Sequence, residues 1–150
     1  MKLSHLNNAM YLGRDLLFPV ALEGALKLKE TSYIHAEATP AGELKHGPIA
    51  LVDDNLLVVF LHLQNDLYDK SQSSLEQIRA RGGQLLIVGT EGDDKLKEFS
   101  DNVIYVPQSN PYTQPLLANI PLQLFAYYMA VERGNDVDQP RNLAKSVTVE

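Results

Sequence analysis

Residues 56–63 read LLVVFLHL, a nearly unbroken apolar run. A strand with one wet face alternates polar and apolar side chains. A run that is apolar at every position suits a strand buried on both faces, as in a parallel sheet covered by helices. Working outward, QLLIVGT at 84–90 reads as a second such strand, and shorter strands are predicted at 9–13 (AMYLG) and 102–107 (NVIYVP). Helical patterns lie between them. The first is predicted over about 17–35, with Asp15 as a candidate cap and Pro19 suited to the first turn. A second opens with a serine cap in SQSS, 71–74, and stops at Gly82 and Gly83. DDKLKEFSD, 93–101, reads as a short polar helix, and a long helix runs over roughly 115–133, closed by Gly134. Pro40, Gly42, Gly47 and Pro48 break up the remaining segment into a loop with at most one helical turn. This alternation implies an α/β fold: a three-layer α/β/α sandwich around a mostly parallel sheet of four or five strands. The candidate for the fifth strand is IALV, 49–52.

The chain has 150 residues, 45% of them hydrophobic and 21% charged, with a net charge of −6. That suits one globular domain with a substantial core. It argues against a nucleic-acid face, which needs a clustered basic patch; the richest basic run, QIRARGG, holds only Arg79 and Arg81. Absence of cysteine removes disulfides, cysteine-based zinc sites and a cysteine nucleophile. No histidine pair stands at metal-ligand spacing with a carboxylate, so neither a metal nor another cofactor is expected. The stretch PLLANIPLQLFAYYMAV is interrupted by Asn119, Pro121 and Gln123 and is too short to span a bilayer. The start, MKLSHLNNAMYL, lacks the apolar core of a signal peptide, and a cytoplasmic protein is expected.

Within the first helix, Ala21, Ala25, Leu28 and Ser32 form a row of mostly small residues suited to close packing. Glu23, Lys27, Glu30 and Ile34 share another face, spaced i, i+4, i+7, i+11. Two readings of that face stand side by side. One is a solvated row of ion pairs. The other is a carboxylate, Glu30, set in a cleft to move a proton next to a carbonyl, with Lys27 supporting it or binding an anion. His46 lies in a loop before Gly47 and Pro48; His35 sits at the predicted helix end, where a cation suits the dipole. His62 lies in a buried strand and reads as a core residue. The SQSS serines read as a cap or as a phosphate contact at a helix N-terminus. Residues 135–150, with Lys145 among them, fit neither helix nor strand pattern.

The blocks ALEGALKLKETSYIHAEATPAGELKHGPIALV and DVDQPRNLAKSVTVE, with RARGGQLLIVGT between them, closely resemble the isomerase region of the glucosamine-6-phosphate synthases, also called glutamine–fructose-6-phosphate amidotransferases. The resemblance covers essentially the whole chain. It implies a second sugar-isomerase (SIS) subdomain over 1–134 and a C-terminal tail, 135–150, that closes over the sugar site. It implies that Glu30 moves a proton between C1 and C2 of the sugar, that Lys27 and Glu23 contact or support the substrate, and that His46 opens the sugar ring in the site of a partner subunit. Lys145 is similar to the tail lysine beside the open-chain sugar. The implied partners are fructose 6-phosphate and glucosamine 6-phosphate, the remaining domains of a longer enzyme, and a second copy in a homodimer. One departure stands out. The family holds the sugar phosphate with a Ser/Thr-rich loop in its first SIS subdomain, whereas the loop here is QNDLYDKSQSS, and GTEGDD after the next strand is acidic. The rival reading is a non-catalytic SIS module that binds sugar phosphates or mediates dimerisation.

Overall fold

The computed structural model describes residues 3–143. Five strands form one parallel sheet: β1 (Asn8–Gly13), β2 (His35–Pro40), β3 (Leu56–His62), β4 (Gln84–Thr90) and β5 (Val103–Val106). Their spatial order is β2-β1-β3-β4-β5, so the chain reverses its direction of travel across the sheet between β1 and β3. Three α-helices connect and cover them: α1 (Leu17–Ser32), α2 (Tyr68–Arg79) and α3 (Gln114–Glu132).

β3 lies at the centre of the sheet and every one of its residues is buried. Because successive side chains point to opposite faces, Leu57, Val59 and Leu61 join the α1 and α3 layer, while Val58 and Phe60 join the α2 layer. That division explains the unbroken apolar run. Ala21, Ala25, Leu28 and Ser32 are buried along α1 as their spacing predicts. Gly24 lets α1 pack closely on β1 and α3: a Cβ there would stand 2.6 Å from Leu122 Cδ1 and 2.8 Å from Tyr11 Cε1.

The structure corrects several expectations. α1 ends at Ser32, not at 35, because Tyr33 turns left-handed with φ 57° and its N–H bonds Lys29 O. His35 therefore opens a strand and is not a helix-end cation. The fifth strand is this edge strand, β2, whereas residues 49–51 of the IALV candidate lie in a 3-10 turn, Pro48–Leu51. The segment read as a loop is a 3-10 helix, Ala41–His46, and the short polar helix is also 3-10, Asp94–Glu98. Asp15 caps nothing with its side chain; it takes φ 52° and its carbonyl accepts Phe18 N–H. The SQSS serines lie inside α2, one turn past its start, and Ser71 and Ser74 bond Leu67 O and Ala41 O. They offer no free N-terminus to a phosphate.

Tyr11 is fully buried between β1 and α1, and its hydroxyl makes no hydrogen bond. Burial pushes the phenol well above its ordinary pKa. A buried, unpaired hydroxyl is a liability, so Tyr11→Phe is expected to stabilise the fold by about 1 kcal/mol. Urea denaturation measures this, and a clear loss of stability in the variant would contradict it.

Candidate functional site

α1 carries its charged row on the side that does not pack on the sheet. Lys27 Nζ donates to Glu30 Oε2 at 2.7 Å and lies 3.7 Å from Glu23 Oε1. The three side chains remain 33%, 30% and 42% exposed for Lys27, Glu30 and Glu23. The hydrogen bond to Glu30, above all, raises the Lys27 pKa; the charges of Glu30 and Glu23 add to it, against burial. Lys27 is therefore a cation throughout the neutral range. Ion pairs this exposed contribute only about 0–1 kcal/mol each, so the row does little for stability. Its consequence is geometric: Lys27 holds the Glu30 carboxylate in one orientation. Ile34, read as continuing this face, lies past the helix end and is buried in the core.

Glu30 lines a groove of about 500 Å³ together with Leu26, Lys29, Tyr33, His35 and the segment Arg141, Asn142 and Leu143. That segment is drawn from far along the chain. The Tyr33 hydroxyl accepts the Arg141 backbone N–H at 2.9 Å, and the Arg141 guanidinium sits 4.0 Å from the centre of the Tyr33 ring. Asn135 Nδ2 donates to Thr31 O at 3.0 Å, fixing the chain as it leaves α3. Sequence reasoning missed Tyr33 and Arg141. The left-handed turn that presents Tyr33 has no glycine to announce it, and the pairing spans 108 positions.

The predicted site residues divide. Glu23, Lys27 and Glu30 come together. Lys145 lies outside the described residues. His46 ends the 3-10 helix Ala41–His46, is 56% exposed, and its Nδ1 lies 2.8 Å from Glu43 Oε2. It does not line the Glu30 groove. The adjoining Gly47 and Pro48 line a different cleft, of about 760 Å³, along the β2 edge with Asn8, Glu37 and Asp53. His35 lines both cavities and links them around the edge strand. The sequence suggests a structural role for it; the structure puts it on the wall of both cavities. Among the described residues no group of three or more His, Asp or Glu side chains is placed to hold a metal ion, and no helix is long and apolar enough to cross a membrane.

Known proteins match this chain closely. It is 57% identical over 141 residues to the glutamine–fructose-6-phosphate aminotransferase (isomerizing) of Thermus thermophilus, covering 94% of this chain and 23% of that protein. It is 53% identical over 150 residues to the enzyme of the same name from Chlorobaculum tepidum, covering 100% of this chain and 24% of that one. The chain thus spans about a quarter of the length of these relatives. Among solved structures, the C-terminal domain of a glucosamine-fructose-6-phosphate aminotransferase from Francisella tularensis superposes with a TM-score of 0.82 at 46% identity, over 91% of this chain and 38% of that one. A glucosamine-6-phosphate deaminase from Thermotoga maritima superposes at 0.79 with 31% identity, over 98% and 42%. A family model described as the SIS domain matches residues 2–133, and the chain belongs to the SIS-domain family.

Proposed function

We propose that this chain is the isomerase portion of an enzyme that makes glucosamine 6-phosphate from fructose 6-phosphate and glutamine-derived ammonia. After ammonia adds to the C2 carbonyl and the carbonyl oxygen leaves as water, the C2 imine acidifies C1; Glu30 takes a proton from C1 and delivers it to C2, which leaves an aldehyde at C1 and an amine at C2. The observation that carries the reading is the Glu30 carboxylate, held by Lys27 at 2.7 Å on the wall of a groove large enough for a hexose. A carboxylate so oriented is a suitable general base if it lies within hydrogen-bond reach of the proton it removes. Residues 1–134 form the SIS unit and 135–150 its tail; Tyr33 and Arg141 support this by bringing the segment before Lys145 to the groove. Lys145 then stands beside the open-chain sugar, and closure of the tail excludes water. His46, placed away from Glu30 in its own chain, opens the sugar ring in the site of a second copy. No cofactor takes part.

Partners fit the exposed side of α3. Leu116, Ile120, Leu124 and Val131 lie on one stripe and are 69%, 52%, 51% and 50% exposed. We assign that stripe to the remaining domains of the longer enzyme or to the homodimer contact. A non-catalytic SIS module is the second reading, favoured by the partial exposure of the Glu23–Lys27–Glu30 row.

Residues 1–150 alone are expected to fold, by circular dichroism, yet to convert fructose 6-phosphate at background rate. They hold the proposed proton-transfer group without the Ser/Thr-rich phosphate loop. Substituting this chain for the matching segment of the Thermus thermophilus relative should restore synthesis. Robust isomerisation by the isolated chain would overturn the division of labour, and an inactive but folded chimera would favour the non-catalytic module.

A further inference from the structure

Arg14 follows the last residue of β1 at the carboxyl edge of the sheet, beside the point where the strand order reverses. Its Nε is sealed from solvent and makes no hydrogen bond. None of the ion pairs found among the described residues includes it. A cleft of about 70 Å³ opens against it, lined also by Gly42, Lys45, Ser73, Ser74 and Gln77. Lys45 likewise takes part in none of those ion pairs. The carboxylate between them in sequence, Glu43, is engaged by His46 at 2.8 Å. Gly42 packs beside the guanidinium: a Cβ there would stand 3.4 Å from Nη2, in ordinary van der Waals contact. Two cations outside those ion pairs thus share a small polar cleft in a chain of net charge −6, and Arg14 also lines a neighbouring cavity with Asp15 and Asp66.

The geometry points to an oxyanion site of the phosphate class in this cleft, formed by the Arg14 guanidinium, the Lys45 ammonium and the Ser73 and Gln77 side chains. The planar fork of an arginine matches two oxygens of a phosphate, and a lysine supplies a compact charge beside it. The volume equals two to three waters at about 30 Å³ each, which accommodates a phosphoryl group and leaves a sugar ring outside. Ligands of open parallel sheets gather beyond the carboxyl ends of the strands, at the reversal of strand order. The Glu30 groove shares no lining residue with this cleft and lies at the other end of α1. The site therefore does not depend on the proposed reaction.

The test is a titration of the isotopically labelled chain 1–150 with inorganic phosphate at constant ionic strength, followed by NMR. Saturable shifts are expected at the Arg14 Nε–H and at the amides of residues 42–45 and 73–77. Arg14→Gln and Lys45→Gln should each raise the Kd by at least about tenfold, while Lys95→Gln, on a distant exposed residue, leaves it unchanged. Should Arg14→Gln fail to fold, Lys45→Gln decides alone. Shifts that never saturate, a Kd unmoved by Lys45→Gln, or acetate binding as tightly as phosphate would overturn the assignment. Competing glucosamine 6-phosphate identifies the source: displacement from the same resonances indicates a phosphorylated sugar, and retention of phosphate indicates the free ion.

Discussion

Glu30→Gln is expected to lower ammonia-dependent formation of glucosamine 6-phosphate by about 10²–10⁴-fold, the usual weight of a positioned general acid–base group. The measurement uses the chimera with the Thermus thermophilus relative, supplied with ammonia so that glutamine hydrolysis does not enter. Glutamine keeps the length and one acceptor oxygen of the side chain, so it can still accept a hydrogen bond from Lys27, whose Nζ lies 2.7 Å from Glu30 Oε2. What it cannot do is carry a proton. Substrate affinity is expected to stay within about threefold while kcat falls, since the lost interaction belongs to the transition state. Glu30 is 30% exposed and pairs only at the surface, so a folding defect is not expected from this change. An unchanged rate would leave the row as solvated ion pairs and return the chain to the non-catalytic reading.

The second large effect is on stability against acid. His62, at the end of β3, is 1% exposed, with neither ring nitrogen hydrogen-bonded. Its ring stacks on Tyr68 at 4.3 Å and meets Phe60 edge-on at 5.7 Å. Burial lowers its pKa from 6.5 to about 4, opposed by the charge of Asp93. The Asp93 carboxylate is itself occupied, accepting the Tyr68 hydroxyl at 2.5 Å. Since the unfolded chain takes up a proton near pH 6.5 and the folded one only near 4, acidification favours unfolding across that window. The contribution of His62 is fully present above pH 6.5, falls as the pH drops, and is lost by about 4. The size of the loss is about 3 kcal/mol at 1.36 kcal/mol per pKa unit. Other groups titrate in acid too, so the informative quantity is the difference between the wild-type chain and His62→Phe. The gap between the two stability curves should be constant above pH 6.5 and widen below it, with the variant more resistant. Parallel curves would show that His62 is hydrated or paired in solution.

Both effects involve residues whose surroundings were unequally legible. The central strand β3 was readable because burial on both faces imposes apolar residues at every position. The α1 packing row was readable because small residues recur at helical spacing. β2 was not. HAEATP lacks β-branched residues except Thr39, and it lies at the sheet edge, where Ala36 alone of its six residues is fully buried. The left-handed stop at Tyr33 also carries no glycine, so the helix pattern runs through it without a break. Charge spacing alone placed Glu23, Lys27 and Glu30 on one face, and the structure agrees. It could not say whether that face meets solvent or a groove, because the opposite wall comes from Arg141–Leu143, more than a hundred positions away. Only the resemblance carried roles for His46 and Lys145. Within one chain, His46 does not line the groove that Glu30 lines.

The most direct measurement concerns the proton itself. Glucosamine 6-phosphate is incubated with the chimera in deuterium oxide, and the C2 proton is followed by NMR. If Glu30 removes that proton and exchanges it with the solvent before the carbon is reprotonated, deuterium enters C2 with the native chain and not with Glu30→Gln, although both bind the sugar. Exchange at the same rate in both proteins would contradict a proton-transfer role for Glu30.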